Sequence, residues 1–490
     1  MRQTVIAMRM AEIAGAGDRD REATYYLGLM MNVYCHADAA EQASWFGDDI
    51  GVKGDGYEIL GMNTAQTLAF LLRRVGSHGS GAQRAKRLTA FPLASQRTWA
   101  GWLATHTTLG AQLAQGVGLD DAVCLGIRHA YEQWDGKGYP QGLRGDEITL
   151  PARLVQFAGP IEVINRRHGI QAARRVARKH RESQFDPALV DLFCAQAPRI
   201  LDGIDDAADW AEILAAEPGP GRRVDGPELS AVLEAIADLA DMKSPFFAGH
   251  SRGVANLAGE AARLSGYSAD DVVTVRHAGL VHDLGRLGVS NSIWDRPGPL
   301  TAVDIERVRL HPYLTDRMLS RVPALARSRE IAARHHERLD GSGYPNALTA
   351  TTLTPLDRLL AAADVYHAMV EPRPTRPALD RDRASRLLRD EAAAGRLDAD
   401  AVNAVLAAAG HRAPARREWP AGLTAREGDV LKLLARGNTN RIIARRLDIA
   451  PKTASNHVEH IYSKLGVASR AEATLFATQH GLVGSFERRV

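Results

Sequence analysis

The sequence lacks any uninterrupted apolar run of the ~18 residues that a membrane-spanning helix needs. Its N-terminus carries Glu12 in what would have to be the apolar region of a signal peptide, so this segment predicts an amphipathic helix instead. The three cysteines, Cys35, Cys124 and Cys194, are odd in number and far apart, which argues against a disulfide framework. These absences predict a protein of the reducing cytoplasm that has no membrane segment.

An excess of charge of one sign is also missing, because 61 basic residues face 58 acidic ones and leave a net charge of +3. Any affinity for nucleic acid must therefore come from a local patch. Strand-type alternation is scarce, whereas apolar residues recur every three or four positions in segments such as SAVLEAIADLA. This period predicts an all-α protein, and the 490 residues suggest about three domains.

Two segments rich in proline, glycine and arginine interrupt the helical pattern. They are PGPGRR, which begins at Pro218, and HRAPARREWPAG, which ends at Gly422. We therefore predict three domains at residues 1–217, 229–410 and 423–490, with linkers at 218–228 and 411–422.

The first domain contains a copy of a turn found in the second. YEQWDGKGYPQGL around Asp135 matches HERLDGSGYPNAL around Asp340, and His106 precedes the first turn by the same distance as His311 precedes the second. The copies differ where the second has metal-ligand side chains. In the first repeat, Met31, Asn32, Ala130, Tyr131 and Gly159 stand opposite His282, Asp283, His335, His336 and Asp364. The first repeat is thus expected to keep the helical arrangement without the ligands.

Two pairs of adjacent residues point to metal chemistry, His282-Asp283 in VHDLGRLGV and His335-His336 in HHERLDGSGYP. Imidazole and carboxylate together suit first-row transition ions such as iron, manganese or zinc. Two such ions a few ångströms apart can activate water and clamp a phosphoester. Adjacent side chains on a helix diverge, so one site needs ligands from several helices of a bundle. Further candidates are His250, His311 and Asp364, whereas a lone histidine such as His106 is usually a core or surface residue.

The second repeat resembles an HD-GYP domain, a branch of the HD phosphohydrolase superfamily whose better-known members hydrolyse cyclic di-GMP. The similar segments, from about Asp241 to Arg376, are GHSRGV, LVHDLGRLGV, WDRPGPLT, RLHP, HHERLDGSGYP, PLDRLLAAADVY and RPTR. The resemblance implies a bridging role for Asp283 and two divalent transition-metal ions, since Phe246 replaces the glutamate that holds a third ion in some relatives. The implied metal ligands are His250, His282, Asp283, His311, His335, His336 and Asp364.

The resemblance also implies substrate contacts and shows departures. Arg373 and Arg376 match the family's phosphate-binding positions, where guanidinium groups suit phosphate oxygens. Tyr344 of the GYP turn is a further candidate contact. Arg286 stands where the family usually has lysine, and a guanidinium can stabilise charge but cannot readily donate a proton. His367 replaces an aspartate that commonly follows the last ligand by three residues.

Two functions remain open for this domain. The first is hydrolysis of a cyclic dinucleotide, with Asp283 and Arg286 as the catalytic residues. The second is a catalytically weak module that binds metal and a nucleotide or another phosphoester and so controls the last domain. Retention of all seven implied ligands favours the enzyme.

The last domain has the pattern of a helix, a tight turn and a second helix that is typical of a helix-turn-helix DNA reader. From Leu423 to Val483 it resembles the LuxR/NarL type of DNA-binding domain. Val458, Ile461 and Leu465 form the apolar stripe of the predicted recognition helix.

The resemblance implies two kinds of DNA contact, with Ser455, Asn456 and Glu459 toward bases. The residues placed toward phosphates are Asn440, Arg441, Lys452, Thr453 and Lys464. Ala473, Phe476 and Ala477 form a second apolar stripe, from which we predict self-association into a homodimer. The whole chain is predicted to be a signalling protein that joins a metal-dependent domain to a DNA reader.

Overall fold

The computed structural model describes residues 1–33, 39–51, 62, 64–76, 81–204, 210–219, 221, 223–411, 419–480 and 482. Throughout these residues the secondary structure is helical apart from isolated bridges, with no β-strand, so the predicted all-α fold is confirmed. The chain forms two compact units, Met1–His411 and Arg412–Val490. The two repeats share the first unit, and the predicted domain boundaries stay predictions. Cys35 and most of the linker 411–422 lie outside the described residues.

The first repeat begins with an amphipathic helix, as predicted. Its helices are α1 (Arg2–Ile13), α2 (Asp18–Met30), α3 (Ala39–Phe46), α4 (Thr64–Arg74), α5 (Gly81–Gly116), α6 (Asp121–Arg128), α7 (Leu150–Lys179), α8 (Pro187–Leu201) and α9 (Trp210–Ala215). Ile6, Leu27, Phe157 and Phe193 lie in its hydrophobic core. The buried positions recur at helical spacing, so apolar burial orders these helices.

The second repeat has its own hydrophobic core, which includes Val254, Val281, Leu360 and Leu388. Its helices are α10 (Gly226–Asp241), α11 (His250–Leu264), α12 (Ala269–Val281), α13 (Asn291–Trp294), α14 (Ala302–Arg309), α15 (His311–Leu319), α16 (Ala326–Ala333), α17 (Pro355–Val370), α18 (Arg381–Ala393) and α19 (Ala399–Ala408). Helix α11 packs against α12, α17 and α19, so it lies at the centre of this bundle.

The second unit is a small helical domain around Val430, Leu431, Ile443 and Ile461. Its helices are α20 (Ala425–Ala435), α21 (Asn440–Arg446), α22 (Pro451–Leu465) and α23 (Arg470–Gln479). Thr424 caps α20 in a reciprocal capping box with Glu427, and Gly466 ends α22 in a left-handed conformation. The order of short helix, turn and longer helix matches the helix-turn-helix prediction.

Both repeats build the GYP turn around a buried glutamate. Glu337 accepts hydrogen bonds from the backbone N–H groups of Asn346 and Leu348, each at 2.8 Å. In the first repeat Glu132 does the same for Gln141 at 2.7 Å and Leu143 at 3.0 Å. The turn is therefore a scaffold that survives in a repeat without metal ligands.

The first repeat contacts the second through a buried aspartate. Asp49 Oδ1 accepts hydrogen bonds from Ser290 Oγ at 2.7 Å and from the Asn291 N–H at 3.0 Å. Its other oxygen lies 3.3 Å from Lys243 Nζ, and both side chains are fully buried. Lys243 precedes the short 3-10 turn Pro245–Phe247, which leads into His250. The first repeat thus braces the chain segment that enters the candidate metal site.

We expect Asp49→Ala to destabilise the unit 1–411, because it leaves the Lys243 ammonium buried without its carboxylate. Breaking one side of such a pair costs about 3–5 kcal/mol. Thermal unfolding of the full chain should show a midpoint several degrees lower. Glu41→Ala, which removes an exposed acid from α3, is the control. Replacing both partners by apolar residues, Asp49→Leu with Lys243→Met, should recover most of the loss. An unchanged midpoint in Asp49→Ala would contradict the bracing role.

Candidate metal centre

The seven predicted ligands meet in one buried site of the second repeat. His250, His282, Asp283, His311, His335 and Asp364 are each less than 5% exposed. They sit at helix ends and in one helix: His250 begins α11, His282 and Asp283 follow α12, His311 begins α15, His335 and His336 follow α16, and Asp364 lies in α17. Convergence from five helices is what the sequence requires of adjacent histidine and aspartate pairs.

A glycine lets the helices approach closely enough. A Cβ on Gly285 would lie 1.8 Å from the backbone oxygen of His311, so only glycine fits two residues after Asp283. The Thr315 hydroxyl accepts from the Gly285 N–H at 2.9 Å and donates to the His282 oxygen at 2.9 Å. Helix α15 is thereby fastened to the His-Asp segment, which brings His311 toward Asp283.

The Asp283 carboxylate lies between two groups of histidines. Its Oδ2 is 2.9 Å from His282 Nε2 and 3.5 Å from His250 Nε2. Its Oδ1 is 3.3 Å from His311 Nε2 and 3.6 Å from His335 Nε2. Each oxygen faces its own pair of imidazoles, which is the arrangement of a carboxylate that bridges two ions.

Asp364 and His336 complete the two groups. Asp364 Oδ1 lies 3.3 Å from His250 Nε2, and its Oδ2 lies 3.8 Å from His336 Nδ1. His336 belongs with His311 and His335, because the ligand atoms of these three lie within 4.8 Å of one another. The residues therefore form one set of His250, His282 and Asp364 and another set of His311, His335 and His336, with Asp283 between them.

The donor atoms fit divalent transition metals. His250 Nε2, His282 Nε2 and both Asp283 oxygens are buried and converge on one another, and Asp283 Oδ2 also pairs with Arg286. A divalent cation bound between such nitrogens and oxygens would compensate the cost of their burial. Imidazole nitrogens mixed with carboxylate oxygens suit iron, manganese or zinc. The site can hold metal, which agrees with the sequence prediction.

The second ring nitrogen fixes the orientation of the ligand histidines. Three of them hydrogen-bond through Nδ1 to a backbone oxygen three residues earlier: His282 to Gly279 at 2.7 Å, His311 to Val308 at 2.6 Å and His335 to Ala332 at 2.6 Å. Their Nε2 atoms are then left for metal. His250 instead uses a side chain, since its Nδ1 lies 2.8 Å from Glu371 Oε2.

Nearby charges shift the proton affinity of the ligands in opposite directions. Burial acts to lower the pKa of His250, but the carboxylates of Asp283, Asp364 and Glu371 outweigh it and raise the pKa to about 10. Burial lowers the pKa of His335 to about 3, and the charge of His282 adds to the effect. Because a ligating imidazole must be neutral, metal binding at His250 would release a proton.

Arg286 lies against the metal ligands in a nearly dry position. Its side chain is 9% exposed and forms an ion pair with Asp283 Oδ2. The guanidinium carbon is 4.1 Å from the ring centroid of Phe247, and Arg373 approaches the same ring at 5.0 Å. Two nitrogens of Arg286, Nε and Nη1, are buried and lack a hydrogen-bond partner in the described part of the chain. Phe247 thus holds two guanidinium groups beside the site.

The remaining predicted substrate contacts differ in their surroundings. Arg373 Nη2 lies 2.9 Å from Glu371 Oε2, close to the site. The Tyr344 ring lies 4.7 Å from that of His336, at the edge of the second ligand set. Arg376, in contrast, donates to the backbone oxygens of Ala368, Met369, Glu371 and Pro377. This guanidinium caps the end of α17, where unpaired carbonyls attract cations, so the structure gives it a scaffolding role.

Sequence reasoning missed three residues that shape the site, Phe247, Glu337 and Glu371. The signal for Glu337 was present, because it stands opposite Glu132 in the repeat alignment. Phe247 and Glu371 gave no signal, since only the fold brings them to Arg286 and His250.

The first repeat shows the predicted loss of ligands. Among the described residues, the groups of side chains able to hold a metal all lie in the second repeat. Met31 and Ala130 are buried in the core of the first repeat, and Gln3 Nε2 lies 3.4 Å from Met31 Sδ. Apolar packing thus takes the place of the ligands there.

Helix α22, the predicted recognition helix, has polar residues on its exposed side. Lys452, Thr453, Asn456 and Glu459 are exposed, while Ser455 is half-buried beside Asn440, whose Nδ2 lies 3.2 Å from Ser455 Oγ. The stripe that packs inward contains Val458 and Ile461. Arg441 is exposed at the start of α21. Lys464 is engaged within the domain, because its Nζ lies 2.7 Å from Glu427 Oε2.

The basis for self-association through Ala473, Phe476 and Ala477 is wrong. Ala473 and Ala477 are fully buried in the core of their own domain, and Phe476 packs against that core. The apolar stripe of α23 therefore orders the helix-turn-helix domain itself. Leu475, which is 58% exposed, is the large apolar residue that this helix leaves outside.

None of the described helices is long and apolar enough to cross a membrane.

Comparisons with known proteins match both parts of the chain. A family model described as "HD domain" matches residues 101–189 and 234–401, and one described as "Bacterial regulatory proteins, luxR family" matches residues 421–477. The chain is 29% identical to the 3'3'-cGAMP-specific phosphodiesterase 3 of Vibrio cholerae over 75% of this chain and 80% of that relative. It is 35% identical to a cyclic di-GMP phosphodiesterase of Thermotoga maritima over 30% of this chain and 40% of that relative.

A solved structure has a similar fold. The crystal structure of a cyclic GMP-AMP specific phosphodiesterase of V. cholerae matches with a TM-score of 0.54 and 24% identity. The match covers 84% of this chain and 92% of that chain, and at this identity it supports the fold alone.

We predict that the full chain binds about two transition-metal ions and that Asp283→Ala loses both, because each ligand set loses an oxygen of the shared carboxylate. His335→Ala should chiefly lose one ion. Elemental analysis after incubation with Mn²⁺ and removal of free metal measures both. His106→Ala, in the first repeat, is the matched histidine control. Full metal content in Asp283→Ala would rule out the bridging arrangement.

Proposed function

Since the chain belongs to the HD domain family and ends in a domain of the bacterial luxR regulatory family, we propose that it is a metal-dependent phosphodiesterase of cyclic dinucleotides joined to a DNA-binding regulator. The family matches confirm the two resemblances and the HD phosphohydrolase type. One observation carries the catalytic proposal: a buried Asp283 carboxylate shared by two histidine groups. The names of the relatives support a cyclic dinucleotide as the substrate, with cyclic di-GMP and 3'3'-cGAMP as the two candidates.

The two groups of residues around Asp283 support a site for two ions. His250, His282 and Asp364 would hold one, His311, His335 and His336 the other, and Asp283 both. Two divalent ions, whether iron, manganese or zinc, would supply activated water and a clamp for the phosphoester. Tyr344 and the two guanidinium groups near Phe247 lie beside these residues and would contact the substrate.

Arginine side chains would bind the phosphate in this reaction. The unpaired Nε and Nη1 of Arg286 can donate to phosphate oxygens, and the Arg373 guanidinium lies 5.0 Å from the same phenylalanine ring. The planar guanidinium offers several N–H donors, so Arg286 would stabilise developing negative charge on the phosphate. The leaving oxygen would then take its proton from solvent, which makes proton delivery the weakest step of this site.

A second candidate function has its own supporting observation. The ion pair between Arg286 and Asp283 places a fixed positive charge on the carboxylate that the ions would share. This charge opposes metal binding and favours the alternative of a catalytically weak module that binds metal and nucleotide and controls DNA binding. Turnover distinguishes the two.

We expect the full chain, loaded with Mn²⁺ or Fe²⁺, to hydrolyse cyclic di-GMP or 3'3'-cGAMP, and Asp283→Ala to abolish the activity. Arg286→Lys should keep or raise the rate, because an ammonium can deliver the proton that a guanidinium retains. Chromatography of the linear products measures each rate, with His106→Ala as the control. If the metal-loaded wild type turns over neither dinucleotide, the sensor is the correct function.

We also propose that the helix-turn-helix domain binds DNA as a homodimer through α22. The exposed Lys452, Asn456 and Glu459 on this helix support the groove-facing assignment. Helix-turn-helix readers commonly bind two half-sites as dimers, which supports the homodimer. Arg441, at the start of α21, would touch the DNA backbone.

In a DNA-binding assay with a selected operator, Asn456→Ala should cost about 1–3 kcal/mol and relax the preference at one base position. Lys452→Ala should weaken binding to all sequences alike and reduce the salt slope by about 1, because it removes one phosphate contact. Affinities at several salt concentrations, for operator and unrelated DNA, separate the two effects. Unchanged operator affinity in both variants would show that α22 is not the reading helix.

A further inference from the structure

Three histidines of the candidate metal site, His282, His311 and His335, are oriented by the same kind of hydrogen bond, from Nδ1 to a backbone oxygen. The acceptors of their Nδ1 atoms are backbone oxygens of Gly279, Val308 and Ala332, which lie in the last turns of α12, α14 and α16. The last carbonyls of a helix have no partner within the helix, so a histidine at or just beyond the end can use them. The helix ends therefore fix the tautomer of these three ligands.

His250 cannot be held in this way. It is the first residue of α11, and the first turn of a helix offers unpaired N–H groups rather than carbonyls. The residue before it, Gly249, is in a left-handed conformation with φ of 78°, so no earlier helix continues into it. A fully buried imidazole in this position needs an acceptor from elsewhere to set its orientation.

Glu371 supplies that acceptor from the helix that carries another ligand. It is the C-terminal capping residue of α17, two turns beyond Asp364, and its Oε2 lies 2.8 Å from His250 Nδ1. Its own position is fixed from two sides, by Arg373 Nη2 at 2.9 Å from Oε2 and by His367 Nδ1 at 3.1 Å from Oε1. The carboxylate is thus held rigidly behind His250, on the side away from the metal site.

We propose that Glu371 is a positioning residue that holds His250 with Nε2 toward the metal site, and that it replaces the carboxylate lost at His367. The inference rests on the proposed metal site but not on turnover. A carboxylate behind a ligating imidazole fixes its tautomer and raises its basicity, and the loss of such a group typically costs 10–100-fold in metal affinity, to an order of magnitude.

The fold shows how His367 and Glu371 exchange places. A Cβ on Gly253 would lie 1.9 Å from His367 Nε2, so the glycine one turn after His250 makes room for the larger ring. The His367 ring lies 5.5 Å from that of His250, and its Nδ1 lies 3.1 Å from Glu371 Oε1. Because position 367 holds an imidazole, the carboxylate that contacts His250 comes from Glu371, one turn further along the chain.

The test is a titration of the metal-free full chain with Co²⁺, followed by visible absorption, which reports the coordination of each ion. Glu371→Ala should weaken the ion held by His250 about 10–100-fold and leave the ion held by His311, His335 and His336 near wild-type affinity. Glu371→Gln, which keeps an acceptor of the same size, should lose less. Adding His367→Asp to Glu371→Ala should restore affinity, because a carboxylate returns behind His250.

The matched control is Glu260→Ala, which removes an arginine-paired glutamate from the surface of α11, the same helix that His250 begins. Circular dichroism and the unchanged second ion show that each variant is folded. Wild-type affinity for both ions in Glu371→Ala, or equal weakening of both ions, would overturn the positioning role. A chain that binds both ions but hydrolyses no dinucleotide would refute the proposed enzyme and leave this inference standing.

Discussion

The structure of the second repeat depends on one buried carboxylate. Asp283 is 1% exposed, its two oxygens face different pairs of imidazoles, and Oδ2 also forms an ion pair with Arg286. Such a group is costly to bury unless cations compensate it. The Arg286 guanidinium and the surrounding imidazoles compensate part of this charge, and divalent ions held by those imidazoles would add to the compensation. Three features keep imidazole nitrogens around this carboxylate. They are the close helix approach at Gly285, the helix-end carbonyls that orient three of the histidines, and Glu371, which contacts His250.

The first repeat shows which parts of the arrangement are scaffold. It keeps the turn around Glu132 although the ligand positions hold Met31 and Ala130. The buried glutamate accepts the hydrogen bonds of the backbone N–H groups in the turn, so the turn does not need metal. The first repeat also contributes Asp49, which pairs with Lys243 in the segment that leads to His250. A duplicated domain that has lost its ligands can therefore still stabilise the site of its partner repeat.

The convergence of the seven residues could be predicted from the sequence because the order of the adjacent His-Asp and His-His pairs along the chain matches a known motif. Residues that act through contacts distant in sequence could not be predicted in this way. Glu371 lies 121 positions from His250, and nothing local marks it. Periodicity also misled: the stripe of Ala473 and Ala477 is apolar on a helix, but spacing alone does not say whether such a face meets its own core or a second copy. Arg376 matched a motif position, yet helix-end carbonyls occupy its guanidinium.

The most direct test of this account is anomalous diffraction from crystals of the full chain grown with Mn²⁺. The account predicts two peaks in the second repeat, one on each side of Asp283, with His250, His282 and Asp364 around one and His311, His335 and His336 around the other. The ligand positions of the first repeat should show no peak. A single ion, or an ion placed away from Asp283, would contradict the claim that this carboxylate organises a dinuclear site.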